Sequence, residues 1–137
     1  MITVRYVNPI EGSPIVGFLA RAWVALLNDN LWDRRNILLS GDLSCVYAVE
    51  GKKIIGVITF FLDEDEHNAN INLAFVHPRH RRQGVMRAMW AEMLKQAKAQ
   101  KASWVSNVCY PHNDGIQEFC KSVGGYEYTR QYRVDIR

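Results

Sequence analysis

The residues best suited to chemistry lie together between Phe75 and Arg87, in the run Phe-Val-His-Pro-Arg-His-Arg-Arg-Gln-Gly-Val-Met-Arg. An apolar stretch ends at Val76, a cation-rich loop follows, and helical spacing begins just after Gly84. A strand that runs into a helix in this way gathers unpaired backbone N–H groups and the positive end of the helix dipole at one point. Gly84 lets a ligand approach the backbone where a Cβ would obstruct it. Arg81, Arg82 and Arg87 add charge and forked donors suited to phosphate oxygens. The segment is therefore expected to hold a diphosphate at the start of the helix. On charge alone a solvated basic turn explains it equally well, and the strand–helix placement is what favours a site. The frame matches neither the phosphate loop that closes on Gly-Lys-Ser/Thr nor the three-glycine dinucleotide fingerprint.

The flanking sequence supplies elements to position this loop. Ile2 to Val7 reads as a strand closed by Asn8-Pro9. Ser13-Pro14 caps a helix whose inner face is Ile15, Phe18, Leu19, Ala22, Trp23 and Leu26. A shorter helical piece spans Leu31 to Leu39. Leu43 to Val49, Lys53 to Leu62 and Asn70 to Val76 read as three strands, joined by the turn Glu50-Gly51-Lys52 and the acidic turn Asp63 to Glu66. Val85, Met86, Met89, Trp90, Met93, Leu94 and Ala97 mark the buried face of a long helix ending near Gln100. Trp104 to Tyr110 is a fifth strand. Asn113 or Asp114 caps a helix with inner residues Ile116, Phe119, Cys120 and Val123, and Gly124-Gly125 stops it. Tyr126 to Ile136 is a last extended segment. A meander followed by a strand–helix–strand crossover makes an α/β (α+β) fold, a mixed sheet with helices packed on it, in a single domain over residues 1–137.

Composition narrows the function classes. A chain of 137 residues with 48% hydrophobic residues can build a core without disulfides or a metal. Seventeen Lys+Arg against fourteen Asp+Glu leave a formal charge of only +3, which argues against a nucleic-acid partner. Cys45, Cys109 and Cys120 are widely spaced, with no CxxC pair, and suit reduced thiols rather than a disulfide framework or a zinc site. No apolar run approaches the ~20 residues of a membrane span, and the polar Asn8-Pro9 break does not suit a signal peptide. A cytoplasmic protein is expected.

The sequence resembles the GNAT superfamily of acetyl-CoA-dependent N-acyltransferases, whose frame is a strand ending near Val-x-Pro and then Arg/Gln-x-x-Gly-x-Gly/Ala opening a helix. Val76-His77-Pro78 and Arg81-Arg82-Gln83-Gly84-Val85-Met86 follow it, with Met86 where Gly or Ala is usual. The element order agrees along nearly the whole chain. The resemblance implies a mostly antiparallel sheet of six to seven strands flanked by about four helices. It also implies acetyl-CoA as acyl donor and an amine acceptor. The backbone of Phe75 and Val76 would pair with the pantetheine arm as an added strand would. Arg81, Arg82, Gln83, Gly84, Val85, Met86 and Arg87 would hold the diphosphate, and Asn113 would orient the pantetheine side. A bulge in the fourth strand would splay it from the fifth and leave a slot for the thioester.

The catalytic groups are less legible. Asn70 to Phe75 offers no carboxylate for a general base, and Glu66, His67 and His112 stand at no diagnostic position. Cys120 occupies the place where the family carries a proton-donating Tyr. A thiol's pKa near ~8.5 suits that role, while its place on an apolar stripe suits plain packing equally. Tyr110 is the other candidate acid. Trp32, Asp33, Arg34 and Arg35 fall where relatives wall the acceptor pocket. The missing carboxylate leaves open a catalytically silent acyl-CoA-binding module. The short C-terminal end invites a homodimer in which another subunit completes the sheet.

Overall fold

The computed structural model describes residues 1–10, 14–29 and 43–136. Five strands form one sheet: β1 (Ile2–Val7), β2 (Ser44–Glu50), β3 (Lys53–Asp63), β4 (Asn68–Val76) and β5 (Trp104–Asn107). They lie in sequence order, antiparallel from β1 to β4, with β5 parallel to β4. Three helices accompany them: α1 (Ile15–Asn28), α2 (Val85–Ala99) and α3 (Asp114–Ser122). The helical piece expected over Leu31–Leu39, the N-cap at Ser13, and Trp32, Asp33, Arg34 and Arg35 lie outside the described residues.

Each face of the sheet carries its own apolar cluster. Under α2, Val85, Met89, Met93 and Ala97 pack on Val46, Ala48, Ile58, Phe60 and Ile71. Under α1, Ile15, Phe18, Leu19, Ala22 and Leu26 pack on Cys45, Val57, Leu73 and Phe75. Burial pushes the Cys45 thiol up to about 12, so it stays protonated and packs as a small apolar group. At Gly56 the Met89 side chain of α2 packs directly on the sheet. A Cβ there would stand 3.0 Å from the Met89 Cε.

One expectation is corrected: the sheet has five strands, against six to seven, while three helices are seen among the described residues and the other expected one, Leu31–Leu39, lies outside them. The difference in strands lies at the C-terminus: β5 stops at Asn107 rather than Tyr110, and Tyr126–Ile136 joins no ladder. Tyr126, Tyr128, Tyr132, Val134 and Ile136 are all well exposed there. Strand composition alone does not make a strand, which also needs a neighbour to bond.

Candidate functional site

The loop after β4 is built by its own backbone. Pro78–His80 forms one 3-10 turn, with the Arg79 N–H donated to His77 Nδ1 at 3.3 Å. Arg82 (φ 60°) and Gly84 (φ 79°) then both take the left-handed conformation, and α2 begins at Val85. Left-handed turns of this kind aim consecutive N–H groups at one point. No described atom lies within 4 Å of where a Gly84 Cβ would be. The glycine is thus required by backbone conformation and leaves open space above the helix mouth. The Ala88 N–H closes the first helical turn on the Gly84 carbonyl at 3.0 Å, which leaves the donors ahead of it to a ligand or solvent.

The arginines divide their work. Arg81 turns back on the strand: its Nε donates to the Val76 carbonyl at 2.9 Å and its guanidinium lies over the Phe75 ring. Arg87 braces α2 to α3, donating to Ser122 Oγ at 3.1 Å beside the Phe119 ring. Gln83 donates to the Arg79 carbonyl at 3.2 Å. Arg82 is exposed at the loop tip, and Met86 is half-buried against the core under α2. The loop is electropositive. Desolvation, and then Lys53, His80, Arg79 and Arg81, hold the His77 imidazole below its ordinary pKa. His80 reaches Glu50 Oε1 at 3.4 Å.

A slot opens in the sheet at the irregularity in β4. The register jumps from Thr59↔Leu73 to Phe60↔Ile71, which leaves Asn72 as the extra residue of a bulge in β4. The Asn72 amide donates to Thr59 Oγ1 at 3.2 Å. The ladder with β5 ends at Ile71↔Asn107, so the β4 edge from Asn72 to Val76 lies beyond it. The gap is lined by Leu26, Asn72, Ala74, Asn107, Cys109 and Asn113, among others, and holds ≈ 50 Å³. That is several times the ~10–15 Å³ that one water requires.

Asn113 lines this slot and also caps α3, its Oδ1 accepting the Ile116 N–H at 3.4 Å. Cys120 is half-buried on α3 behind the lining, where its sulfur accepts from Asn107 Nδ2 at 3.7 Å. Tyr110 stacks on His112, ring centroids 5.5 Å apart, and is not among the lining residues. Of the expected site residues Asn113 lines the slot; Phe75, Val76 and the loop from Arg81 to Arg87 are not among its lining residues, and Cys120 touches the lining at Asn107. Asn72, Asn107 and Cys109 are slot residues that sequence reasoning missed. The acidic turn is tied down by its own backbone, since Asp63 Oδ1 accepts from the N–H groups of Asp65 and Glu66.

The model of the acetyltransferase (GNAT) family matches residues 15–125. The chain belongs to that family. Among curated proteins none matches it. Solved structures show the same fold at low identity. An aminoglycoside acetyltransferase, meta-AAC0020 from an uncultured soil metagenomic sample, in complex with trehalose, has a TM-score of 0.77 at 16% identity. The match covers 99% of this chain and 97% of that one. AAC(6')-Iy bound to a CoA-linked bisubstrate analogue follows at 0.73 and 18%, over 100% and 99%. A ribosomal-protein-alanine N-acetyltransferase from Brucella melitensis biovar Abortus 2308 gives 0.70 and 12%, over 99% and 100%. This GNAT chain is an acyltransferase of its family, and acetyl-CoA is the donor that fits it.

Proposed function

We propose that this GNAT protein is a cytoplasmic single-domain enzyme that moves an acetyl group from acetyl-CoA to a primary amine of a small molecule or protein. The observation that carries the reading is that β4 holds a bulge at Asn72 and runs on into the left-handed loop at Gly84. One opens the sheet for a thioester and the other turns donors toward a diphosphate. The named activities of the neighbours, on aminoglycosides and on a ribosomal protein's alanine, support an amine acceptor without choosing its size. Three free thiols support a reducing compartment. Among the described residues no helix is long and apolar enough to cross a membrane.

Bound acetyl-CoA would supply the thioester carbonyl: a C–N bond forms as the C–S bond breaks, the amine loses a proton and the CoA sulfur takes one. The N–H groups from Arg82 to Arg87 would hold the diphosphate, and Arg82 would add charge at the rim. Phe75 and Val76 would offer backbone partners along the β4 edge, with Arg81 fixing that edge through the Val76 carbonyl. Asn113 would orient the pantetheine side from the α3 cap. Cys120 would hold the proton destined for the departing sulfur.

Calorimetry with acetyl-CoA, CoA and dephospho-CoA tests the site. Micromolar binding of the first two is expected, with Gly84→Val abolishing it while circular dichroism stays native. Absence of binding by the wild-type protein would sink the reading. Release of free thiol across a panel of amines then separates an enzyme from a silent binding module.

A further inference from the structure

The turn that leads out of β4 is fastened to a different hairpin of the sheet. At its start the His77 N–H donates to the Ile55 carbonyl of β3 at 2.8 Å. At its end His80 Nε2 lies 3.4 Å from Glu50 Oε1, across thirty residues of chain. Glu50 is a firm anchor, because it closes β2 and is paired on both sides, with Ile2 of β1 and with Lys53 of β3. The His80 side chain is only 16% exposed and stands edge-on to the His77 ring, centroids 5.7 Å apart. Its Nδ1 is buried and has no hydrogen-bond partner among the described residues. An N–H enclosed there would go unpaired, so the neutral ring carries its proton on Nε2, where the imidazolium carries one as well. In either state the Nε2–H donates to Glu50.

The backbone just beyond His80 needs such a tether. Arg82 has φ 60°, a left-handed conformation that a residue other than glycine keeps only where its surroundings hold it. The other side-chain ties of the loop are local: Gln83 reaches back four residues to the Arg79 carbonyl, and Arg81 five to that of Val76. Among the described residues, the Glu50–His80 contact is the side-chain tie that joins this loop to a strand other than β4. We propose that Glu50, acting through His80, is a positioning residue for the diphosphate loop. This role rests on the reading of the loop as a coenzyme A site. The carboxylate fixes the His80 ring, the ring fixes the last residue of the 3-10 turn, and the turn sets the direction in which the chain enters Arg82 and Gly84. Without the carboxylate the loop samples other backbone states. The observed affinity then drops by the fraction of molecules that still hold the left-handed form. Once acetyl-CoA is bound the loop is the same in either protein, so the transfer step keeps its rate.

Calorimetry with CoA and steady-state kinetics with acetyl-CoA compare wild type, Glu50→Ala, Glu50→Gln, His80→Ala and the Glu50→Ala/His80→Ala double variant. Glu50→Ala is expected to weaken CoA about three- to fivefold, the range of an incompletely buried charged pair. KM for acetyl-CoA should rise by the same factor with kcat within about 1.5-fold of wild type. Removing a negative charge near a diphosphate would by itself tighten binding, so the loss reports position and not charge. Glu50→Gln keeps an oxygen to accept the Nε2 proton and should bind CoA as tightly as wild type or more so. The double variant should be no weaker than the weaker single one. Long-range nitrogen–proton NMR should find the neutral His80 ring protonated on Nε2 in the wild type, and an Nδ1 proton would overturn the contact. Should His80→Ala melt early, Glu50→Ala against Glu50→Gln carries the test alone. Wild type that binds CoA, beside a Glu50→Ala variant that binds it equally well or better, overturns the role of Glu50 and leaves the coenzyme A reading standing. Equal weakening in Glu50→Ala and Glu50→Gln overturns it too, because the retained oxygen would count for nothing. Wild type that ignores CoA overturns the reading of the loop itself, and the positioning role with it.

Discussion

His77 sits inside the cationic loop, and its imidazole reports on whatever that loop holds. Desolvation and the neighbouring charges of Lys53, His80, Arg79 and Arg81 keep its pKa below the ordinary value. A diphosphate bound at the mouth of α2 would neutralise part of that field within a Debye length of about 10 Å. The sign follows directly: less positive potential favours the imidazolium, so the pKa must rise on binding. A proton NMR titration of the His77 ring with and without CoA should show the midpoint moving to higher pH. A midpoint that stays put or falls would mean that the diphosphate sits elsewhere. At this scale the sequence was informative where a residue type has one strong use, as with Gly84. It was silent where the role depends on a partner: nothing about Asn107 or Cys109 distinguishes either from any strand-end residue until α3 is in place.

The bulge in β4 shows why an element can be legible while its key irregularity is not. Ala69, Ile71, Leu73 and Phe75 alternate without a break in the sequence. Yet Ala69 and Ile71 join the cluster under α2, whereas Leu73 and Phe75 join the one under α1. The extra residue, Asn72, switches the faces, and it is invisible because Leu73 to Val76 is apolar on both sides. The end of α3 was easier to read. Gly124-Gly125 marks a stop, and the structure shows that each glycine is needed for a different reason, Gly124 for its left-handed backbone and Gly125 for lack of room. Gly124 has φ 90° in open space, while a Cβ on Gly125 would lie 2.7 Å from the Cys120 carbonyl oxygen. Gly125→Ala must therefore displace backbone, at a cost of about 1–3 kcal/mol. A thermal melt should fall by roughly 4–10 °C. A melting temperature within a degree of wild type would show that the helix end gives way freely.

The order of strands and helices could be read from the sequence, and the extent of the sheet could not, because pairing depends on neighbours and strand composition does not report them. Tyr126–Ile136 makes the point. Tyr126, Tyr128, Tyr132, Val134 and Ile136 fall on every second position apart from Arg130, the pattern of a strand with one buried face. In the protomer that face is bare: Tyr132 is 79% and Ile136 97% exposed, and ring contact with β5 is made through Tyr128 and Trp104, centroids 5.4 Å apart. Its charged side chains pair within the segment, Arg130 with Glu127 and Arg133 with Asp135. Such exposed pairs contribute little, so they do not hold the segment in place. A segment of alternating apolar residues that joins no ladder, in ring contact with the last strand of the sheet, offers a second copy of itself a surface to pair with. We propose that two chains dimerise through these segments. Light scattering coupled to gel filtration should give a dimer mass at high concentration and a shift toward monomer on dilution. Tyr132→Glu with Ile136→Lys, placed on the apolar face, should give monomer throughout while retaining the native circular dichroism. A wild-type protein that runs as monomer at every concentration would remove the dimer, and an unchanged dimer in the double variant would move its interface elsewhere.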